Sequence, residues 1–415
     1  MKEKHLKIRG ISSMNVVVRN LLVLMFLVGV CNKSMAQMGT AREFEWDGVV
    51  RDYIEYVPQS YNPSQPTAVV FMLHGLRDSM EYKLELSGMV PFADRYGWIM
   101  IVPEALVASV NLFGQDYEIG TMWNAGMSVS VAGLTLAPNQ DVDDAGFLLN
   151  LLDQVKEQYN IHPDSVFFSG VSMGGFMCQR MAIEHSDKIN AVASVSGTIA
   201  TSISTQTPVS NIDILHIHGT KDSVVTYDGA DFSFPPFGTF NIGLSAEATV
   251  EYWRSFNGCN PTASECRYID SKDDGMTFER YDYTGSADGS RVAFIKVING
   301  EHDWYAGTET YDICYADEIQ KFFRGEQPNN VGIDAVADVA VECAMYPNPA
   351  TSVVNISAAM PISRVEIYSM SGAVVMEAEH LGVACRINVE NYKPGMYLAK
   401  IYTDSNVVVK KLIVK

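Results

Sequence analysis

The chain has 415 residues, enough for two or three domains at roughly 100–200 residues each. With 47% hydrophobic and 19% charged residues it can bury a core, which excludes general disorder. Asp plus Glu number 49 against 30 Lys plus Arg, a formal charge of −19 with no basic stripe, so nucleic-acid binding is excluded as a function.

Residues 1–36 read as a signal peptide. A basic stretch ends at Arg19-Asn20, the apolar run Leu21–Val30 follows, and Ser34-Met35-Ala36 precedes Gln37. Small residues one and three positions before the cut suit signal peptidase. The apolar run falls short of the roughly 20 residues that cross a bilayer, so a membrane anchor fits less well. Val30 is too bulky for a lipoprotein cut before Cys31, and Met14 offers a start that gives a signal of more usual length. The expectation is an exported protein.

Export permits disulfides among Cys178, Cys259, Cys266, Cys314, Cys343 and Cys385. None has CxxC spacing, which leaves zinc and thioredoxin-like readings without support. Cys259 with Cys266, and Cys343 with Cys385, are possible pairs. Cys178 lies in a helical pattern and reads as a small apolar residue.

Along residues 37–325 short apolar strands alternate with amphipathic helices. Arg42–Pro58 predicts a hairpin turning at Asp47-Gly48, and Ala68–Leu73 is a continuous apolar run expected of a strand buried on both faces. Trp98–Val102, Ser165–Ser169, Ala191–Val195, Ile212–Ile217 and Val292–Val297 repeat that pattern. Helices are expected over Asp144–Tyr159, Ser172–His185 and Asp317–Phe323. This alternation predicts an α/β fold with a mostly parallel central sheet. Residues 326–340 are polar and turn-forming and read as a linker. Residues 341–415 carry short β-rich runs (Val353–Ile356, Val365–Ile367, Ala373–Met376, Cys385–Val389, Met396–Tyr402 and Val407–Val414) and predict a small all-β sandwich.

Gly170-Val171-Ser172-Met173-Gly174 follows the apolar run Val166-Phe167-Phe168 and opens a helix, the setting a G-x-S-x-G nucleophile elbow requires. Such a turn lifts the serine hydroxyl above the sheet and aims the Met173 N–H at a developing oxyanion. The serine needs a base held by an acid, in chain order Ser, acid, His. His5, His74, His162, His185, His216, His218 and His380 fail on position, which leaves His302. The acid belongs on the loop after the strand Ile212–Ile217, and Asp222 occupies it. Leu76, after His74-Gly75 at the end of Ala68–Leu73, is the expected second oxyanion donor through its backbone N–H. His74 is expected to orient that loop. His216 and His218 lack a third ligand, and Asp141 with Asp143 lack the rest of a calcium loop, so no metal and no cofactor is expected.

Residues from about Arg51 to Phe323 resemble the esterase family that groups feruloyl and acetylxylan esterases with poly(3-hydroxybutyrate) depolymerases. The resemblance is carried by Leu73-His74-Gly75, Trp123-Asn124, Asp143-Asp144-x-x-Phe147, Gly170–Gly174, His218-Gly219-x-x-Asp222 and Gly300-x-His302-x-Trp304. It implies an α/β-hydrolase with the triad Ser172, Asp222 and His302, no cofactor, and substrate contacts at Trp123 and Trp304. Many members have a cysteine where this chain has Leu76. The implied activity is a secreted serine carboxylester hydrolase, on feruloyl or acetyl esters of plant polysaccharide or, as the alternative, on polyester. An inactive hydrolase fold used for binding is the rival from another class, and the complete Ser/Asp/His set argues against it. A peptidase lacks the lid domain such enzymes use.

The last stretch resembles the C-terminal sorting domain of type IX secretion, on Tyr346-Pro347-Asn348-Pro349-Ala350, Val365-Glu366-Ile367-Tyr368, Gly395-Met396-Tyr397 and Lys410–Lys415. That implies passage through the periplasm, the type IX machinery as a partner, and release or surface attachment. A carbohydrate-binding module is the alternative, weakened by the absence of Trp from this segment.

Overall fold

The structure, a computed structural model, describes residues 39–112, 115–131, 134–233, 239–328, 343–369, 374–403 and 407–415. The expected signal segment and residues 329–340 of the expected linker lie outside them. Among the described residues no helix is long and apolar enough to cross a membrane.

A hairpin opens the fold, β1 (Thr40–Trp46) with β2 (Val49–Tyr56). Asp47 and Gly48 close it with φ of 51° and 74°, the double positive φ of a type I′ turn. Then come β3 (Thr67–Leu73), β4 (Ile99–Pro103), β5 (Ile161–Val171), β6 (Ala191–Val195), β7 (Asp213–Gly219), β8 (Ser264–Arg267), β9 (Thr277–Tyr283) and β10 (Val292–Ile298). They form one sheet in the order β1-β2-β4-β3-β5-β6-β7-β10-β9-β8. From β4 to β10 neighbours run parallel, and antiparallel strands flank them at both ends.

The continuous apolar runs are explained by burial on both faces. In β3, Val69, Phe71 and Leu73 enter one core while Val70 and Met72 enter the other. Helices α3 (Asp144–Gln158), α4 (Met173–His185) and α5 (Ala246–Asn257) cover the first face through residues such as Leu148, Met177 and Val250. Helices α1 (Met80–Ser87), α2 (Val90–Tyr96) and α6 (Tyr315–Phe323) cover the second through Leu84, Ala93 and Ile319. Three of these, α1, α2 and α5, go beyond the helices expected from the sequence. α5 carried its signals in plain sight, with Ser245 capping Ala248 N–H at 3.0 Å and Gly258 at φ 70° past its end.

Two thiols that could have formed a pair are not bridged. Cys259 and Cys266 are both free, and Cys259 Sγ instead approaches the Ser290 carbonyl at 3.5 Å. Cys266 sits on β8 at the sheet edge, where it pairs in register with Arg280. Cys178 is a fully buried free thiol, as an apolar reading requires. The side chain of Cys343 lies outside the described residues.

The C-terminal unit is antiparallel and has its own core. Its strands are β11 (Cys343–Tyr346), β12 (Val353–Ser369), β13 (Val374–Asn388), β14 (Gly395–Thr403) and β15 (Val407–Val414). Runs expected as separate strands are continuous: Val353–Ile356 and Val365–Ile367 both belong to β12. The register of β12 against β13 shifts between Ser357 and Ile362, around Pro361, which donates no ladder hydrogen bond. The first half of β12 pairs with β11 and the second with β14. Val354, Ile356, Val365, Ile367, Ile401 and Leu412 close the core.

Candidate active site

Ser172 stands between the end of β5 and the first residue of α4, at φ 54° and ψ −120°. A β-carbon at that φ is strained, at a cost of about 1–3 kcal/mol. The turn is held by Ser172 N–H donating to the Val195 carbonyl at 2.8 Å and Phe176 N–H donating to the Ser172 carbonyl at 3.0 Å. The flanking glycines are steric requirements. A β-carbon on Gly170 would collide with the Gly174 carbonyl, and one on Gly174 with the Leu73 carbonyl. The positive end of α4 therefore points to where Ser172 acts.

Asp222 follows the end of β7 and His302 follows the end of β10, neighbouring parallel strands. Though 80 positions apart, His302 Nδ1 and Asp222 Oδ2 lie 2.7 Å from each other. A carboxylate only accepts, so Nδ1 carries the hydrogen and Nε2 is left free to accept a proton. The other oxygen of Asp222, Oδ1, accepts the N–H groups of Val224 at 2.9 Å and Val225 at 2.8 Å. Burial works to raise the Asp222 pKa, but His302, His218 and the Val225 N–H outweigh it and hold the carboxyl below its ordinary range. His218, which position had eliminated as a base, supports the acid. Its Nε2 lies 2.8 Å from the Val225 carbonyl and 3.4 Å from Asp222 Oδ2. The i, i+4 spacing of His218 and Asp222 across the end of β7 was the signal available for it.

The loop after β3 is fixed from behind. His74 is fully buried, and that burial pushes its pKa down to about 4, so the ring is neutral. Its Nε2 accepts Ala105 N–H at 3.0 Å, so Nδ1 donates to the Gly75 carbonyl at 2.7 Å. Trp123 donates its indole N–H to the His74 carbonyl at 3.0 Å. One residue on, Asn124 N–H donates to Asp144 Oδ2 at 2.6 Å, and Asp144 Oδ1 pairs with the buried Arg51 at 2.7 Å. Asp143, one of the faint calcium-loop residues, caps α3 through Gly146 N–H at 2.9 Å. Among the described residues no acidic, histidine or cysteine cluster could hold a metal ion.

A cavity of about 300 Å³ gathers Leu76, Ser172, Met173, His302 and Trp304 on its walls. No hydrogen bond joins Ser172 Oγ to His302 among the described residues, but both side chains open into this space. Trp123 does not line it. Trp123 is fully buried in the core and tilted against the His74 ring with centroids 5.2 Å apart. Its expected substrate contact is therefore corrected to a brace for the His74-Gly75 loop. Trp304 does form a wall, and Lys83 Nζ of α1 stands 3.6 Å from its ring centroid. Asp78, unremarked in the sequence, also lines the cavity.

Residues 60–233 match the phospholipase/carboxylesterase family and residues 344–415 match the secretion system C-terminal sorting domain. The chain has an α/β-hydrolase fold, is similar over residues 60–233 to carboxylesterases, and ends in a segment similar to a sorting domain. The hydrolase is 29% identical over 280 residues to NocK of Nocardia uniformis subsp. tsuyamanensis, named as an esterase, covering 66% of this chain and 76% of that one. It is 24% identical over 269 residues to feruloyl esterase D of Neurospora crassa, covering 62% and 75%. Among solved structures, the acetyl xylan esterase from Aspergillus awamori is similar with a TM-score of 0.45 and 14% identity, covering 69% of this chain and 99% of that one. The similar proteins support a carboxylester hydrolase, and the sorting-domain match indicates secretion or surface attachment.

Proposed function

We propose that the protein is a secreted serine esterase that works through an acyl-enzyme, with feruloyl or acetyl esters of plant polysaccharide as its substrates. The observation that carries this reading is the 2.7 Å contact of His302 Nδ1 with Asp222, made in the cavity that Ser172 also lines. Ser172 Oγ attacks the ester carbonyl while its proton passes to His302 Nε2. The imidazolium so formed is stabilised by Asp222 and then protonates the leaving alcohol. Water repeats the sequence to release the acid and restore Ser172. The backbone N–H groups of Leu76 and Met173 take the oxyanion, helped by the start of α4. Catalytic hydrogen bonds tighten on substrate binding, so an open Ser172–His302 pair is compatible with this role.

The substrate class is supported by the names of the similar proteins and by an apolar cavity with a tryptophan wall, suited to a flat acyl group. The sorting domain supports passage through the periplasm to the cell exterior, where polymers too large for uptake are met. The test uses purified enzyme on methyl ferulate, acetylated xylan and amorphous polyhydroxybutyrate, side by side with Ser172→Ala. The substitution is expected to lower kcat by about 10⁴–10⁶. Near wild-type turnover by that variant overturns the serine mechanism, and clearing of the polyester alone overturns the carbohydrate-ester reading.

A further inference from the structure

The cavity holds a charge that the triad does not use. Asp78 lies on the turn that follows Gly75-Leu76, where its N–H donates to the Gly75 carbonyl at 3.3 Å. Its side chain is only partly buried and lines the same cavity as Ser172. A β-carbon placed on Gly75 would stand 2.8 Å from Asp78 Oδ2 and 3.6 Å from Ser172 Cβ. The carboxylate and the nucleophilic residue therefore both approach the same face of Gly75.

The rest of the wall adds no lysine or arginine to pair with it. Asp303 adds a second, exposed carboxylate at the rim, and no Lys or Arg is among the lining residues. Leu76, Leu86, Met127, Phe176, Ile242 and Trp304 make most of the remaining surface apolar. Lys83, buried with its Nζ 3.6 Å from the Trp304 ring centroid, acts on Asp78 through its charge but is not among the lining residues. At a partly buried position a negative charge acts over several ångströms and is screened less by salt than one in open water.

We propose that Asp78 is a specificity-determining residue that restricts the site to uncharged acyl groups and drives out the carboxylate product. The inference rests on the serine-esterase reading above. It names the substrate class as esters whose acyl portion carries no carboxylate near the scissile bond, which admits acetyl and hydroxycinnamoyl groups and rejects half-esters of diacids. Each turnover of such an ester leaves a new carboxylate beside Ser172, facing Asp78, so the same repulsion that filters substrates lowers the affinity for product.

The experiment compares kcat/KM for mono-4-nitrophenyl adipate with that for its methyl-capped diester, which has the same chain without the charge. The wild type is expected to favour the capped ester by at least tenfold, beyond the difference in their spontaneous hydrolysis, and added salt is expected to narrow the gap. Asp78→Asn is expected to narrow the ratio at least fivefold, Asp78→Glu to preserve it, and acetate to inhibit Asp78→Asn more strongly than wild type. Asp78→Ser serves the same purpose where the asparagine variant does not fold. An equal ratio in wild type and both neutral variants overturns the proposal while leaving the esterase reading standing. Undiminished hydrolysis of the capped ester by Ser172→Ala overturns both.

Discussion

The indole N–H of Trp123 donates to the His74 carbonyl at 3.0 Å, and that carbonyl belongs to the last residue before Gly75-Leu76, the loop proposed to bind the oxyanion. Since Trp123 is fully buried, its influence on catalysis must pass through the backbone of that loop. Trp123→Phe keeps most of the packing and removes the donor, leaving a buried carbonyl short of one partner. A lost hydrogen bond of about 1 kcal/mol that blurs the oxyanion donor should cost roughly three- to tenfold in kcat, with KM little changed. Steady-state kinetics on two acyl groups of different size checks this. A change in acyl preference would return Trp123 to a substrate-binding role.

Asp222→Asn tests the acid directly. The amide cannot supply the negative charge that stabilises an imidazolium formed during the reaction, and it can present an N–H to Nδ1 and leave the wrong tautomer at Nε2. The expected fall in kcat is about 10⁴-fold, with the fold intact by circular dichroism. His218→Gln is expected to show a milder loss, since it disturbs the Val225 carbonyl that helps seat the acid loop and leaves the charge itself in place. Equal losses for both variants would contradict that order.

Three buried neutral histidines make the fold sensitive to acid. The His74 pKa is lowered to about 4 by burial, and burial also lowers those of His216 and His218. Between about 4 and the ordinary histidine value of about 6.5, the unfolded chain takes up the proton that folded His74 refuses. Stability from this group is therefore complete above about pH 6.5 and falls as the pH drops towards 4, by about 3 kcal/mol at 1.36 kcal/mol per unit. Urea midpoints at pH 7.5 and 5 should differ accordingly, and His74→Gln should be less stable at neutral pH but show a shallower dependence. Constant midpoints across that range would contradict the burial of neutral imidazoles.

Lys83 offers the opposite test, because its removal should help. Its Nζ is buried without a hydrogen-bond partner against the Trp304 ring, and burial lowers its pKa to about 7, eased in part by Asp78. Below that pH the fold must hold a desolvated ammonium. Lys83→Met keeps the linear side chain and removes the charge, so Tm at pH 6 is expected to rise by several degrees. At pH 10 the gain should shrink, because folded Lys83 is then neutral while the unfolded chain is still mostly protonated. A Tm that falls equally at both pH values would mean that the Trp304 contact outweighs the cost of burial.

The parts of the site that chemistry constrains were legible in the residues. A tight strand–turn–helix serine demands glycines on both sides, so Gly170 and Gly174 announced Ser172 before any coordinates. Asp222 and His302, chosen by their places after two strands, lie side by side. Trp123 was not legible in the same way, because a tryptophan beside a catalytic loop can offer its ring to substrate or its N–H to backbone, and sequence does not distinguish them. Lys83 was invisible for a different reason. A lysine in a short helix reads as a solvated residue, and its burial obscured the apolar stripe of α1. In the C-terminal unit, Ser363 and Arg364 beside Pro361 look like a break between strands, yet β12 continues through them with a shift in register.

The hydrolase part should also stand alone. Its cores are built from residues between Tyr53 and Phe323, and the C-terminal core from Ala350 onward is separate. A protein comprising residues 39–328 is expected to fold and retain full esterase turnover, measured against the longer chain. In the native host, deletion of residues 341–415 is expected to leave active enzyme in the periplasm. Normal export of that shortened form would overturn the sorting role.

The unbridged thiols carry a practical consequence. Cys178, Cys259, Cys266 and Cys314 of the hydrolase part are all free, so nothing in its architecture depends on an oxidising compartment or on thiol-exchange catalysts. The hydrolase part is held by packing and hydrogen bonding, with no disulfide among its described residues. A reducing cytosol should therefore yield active hydrolase, and millimolar dithiothreitol should leave its melting temperature where it was.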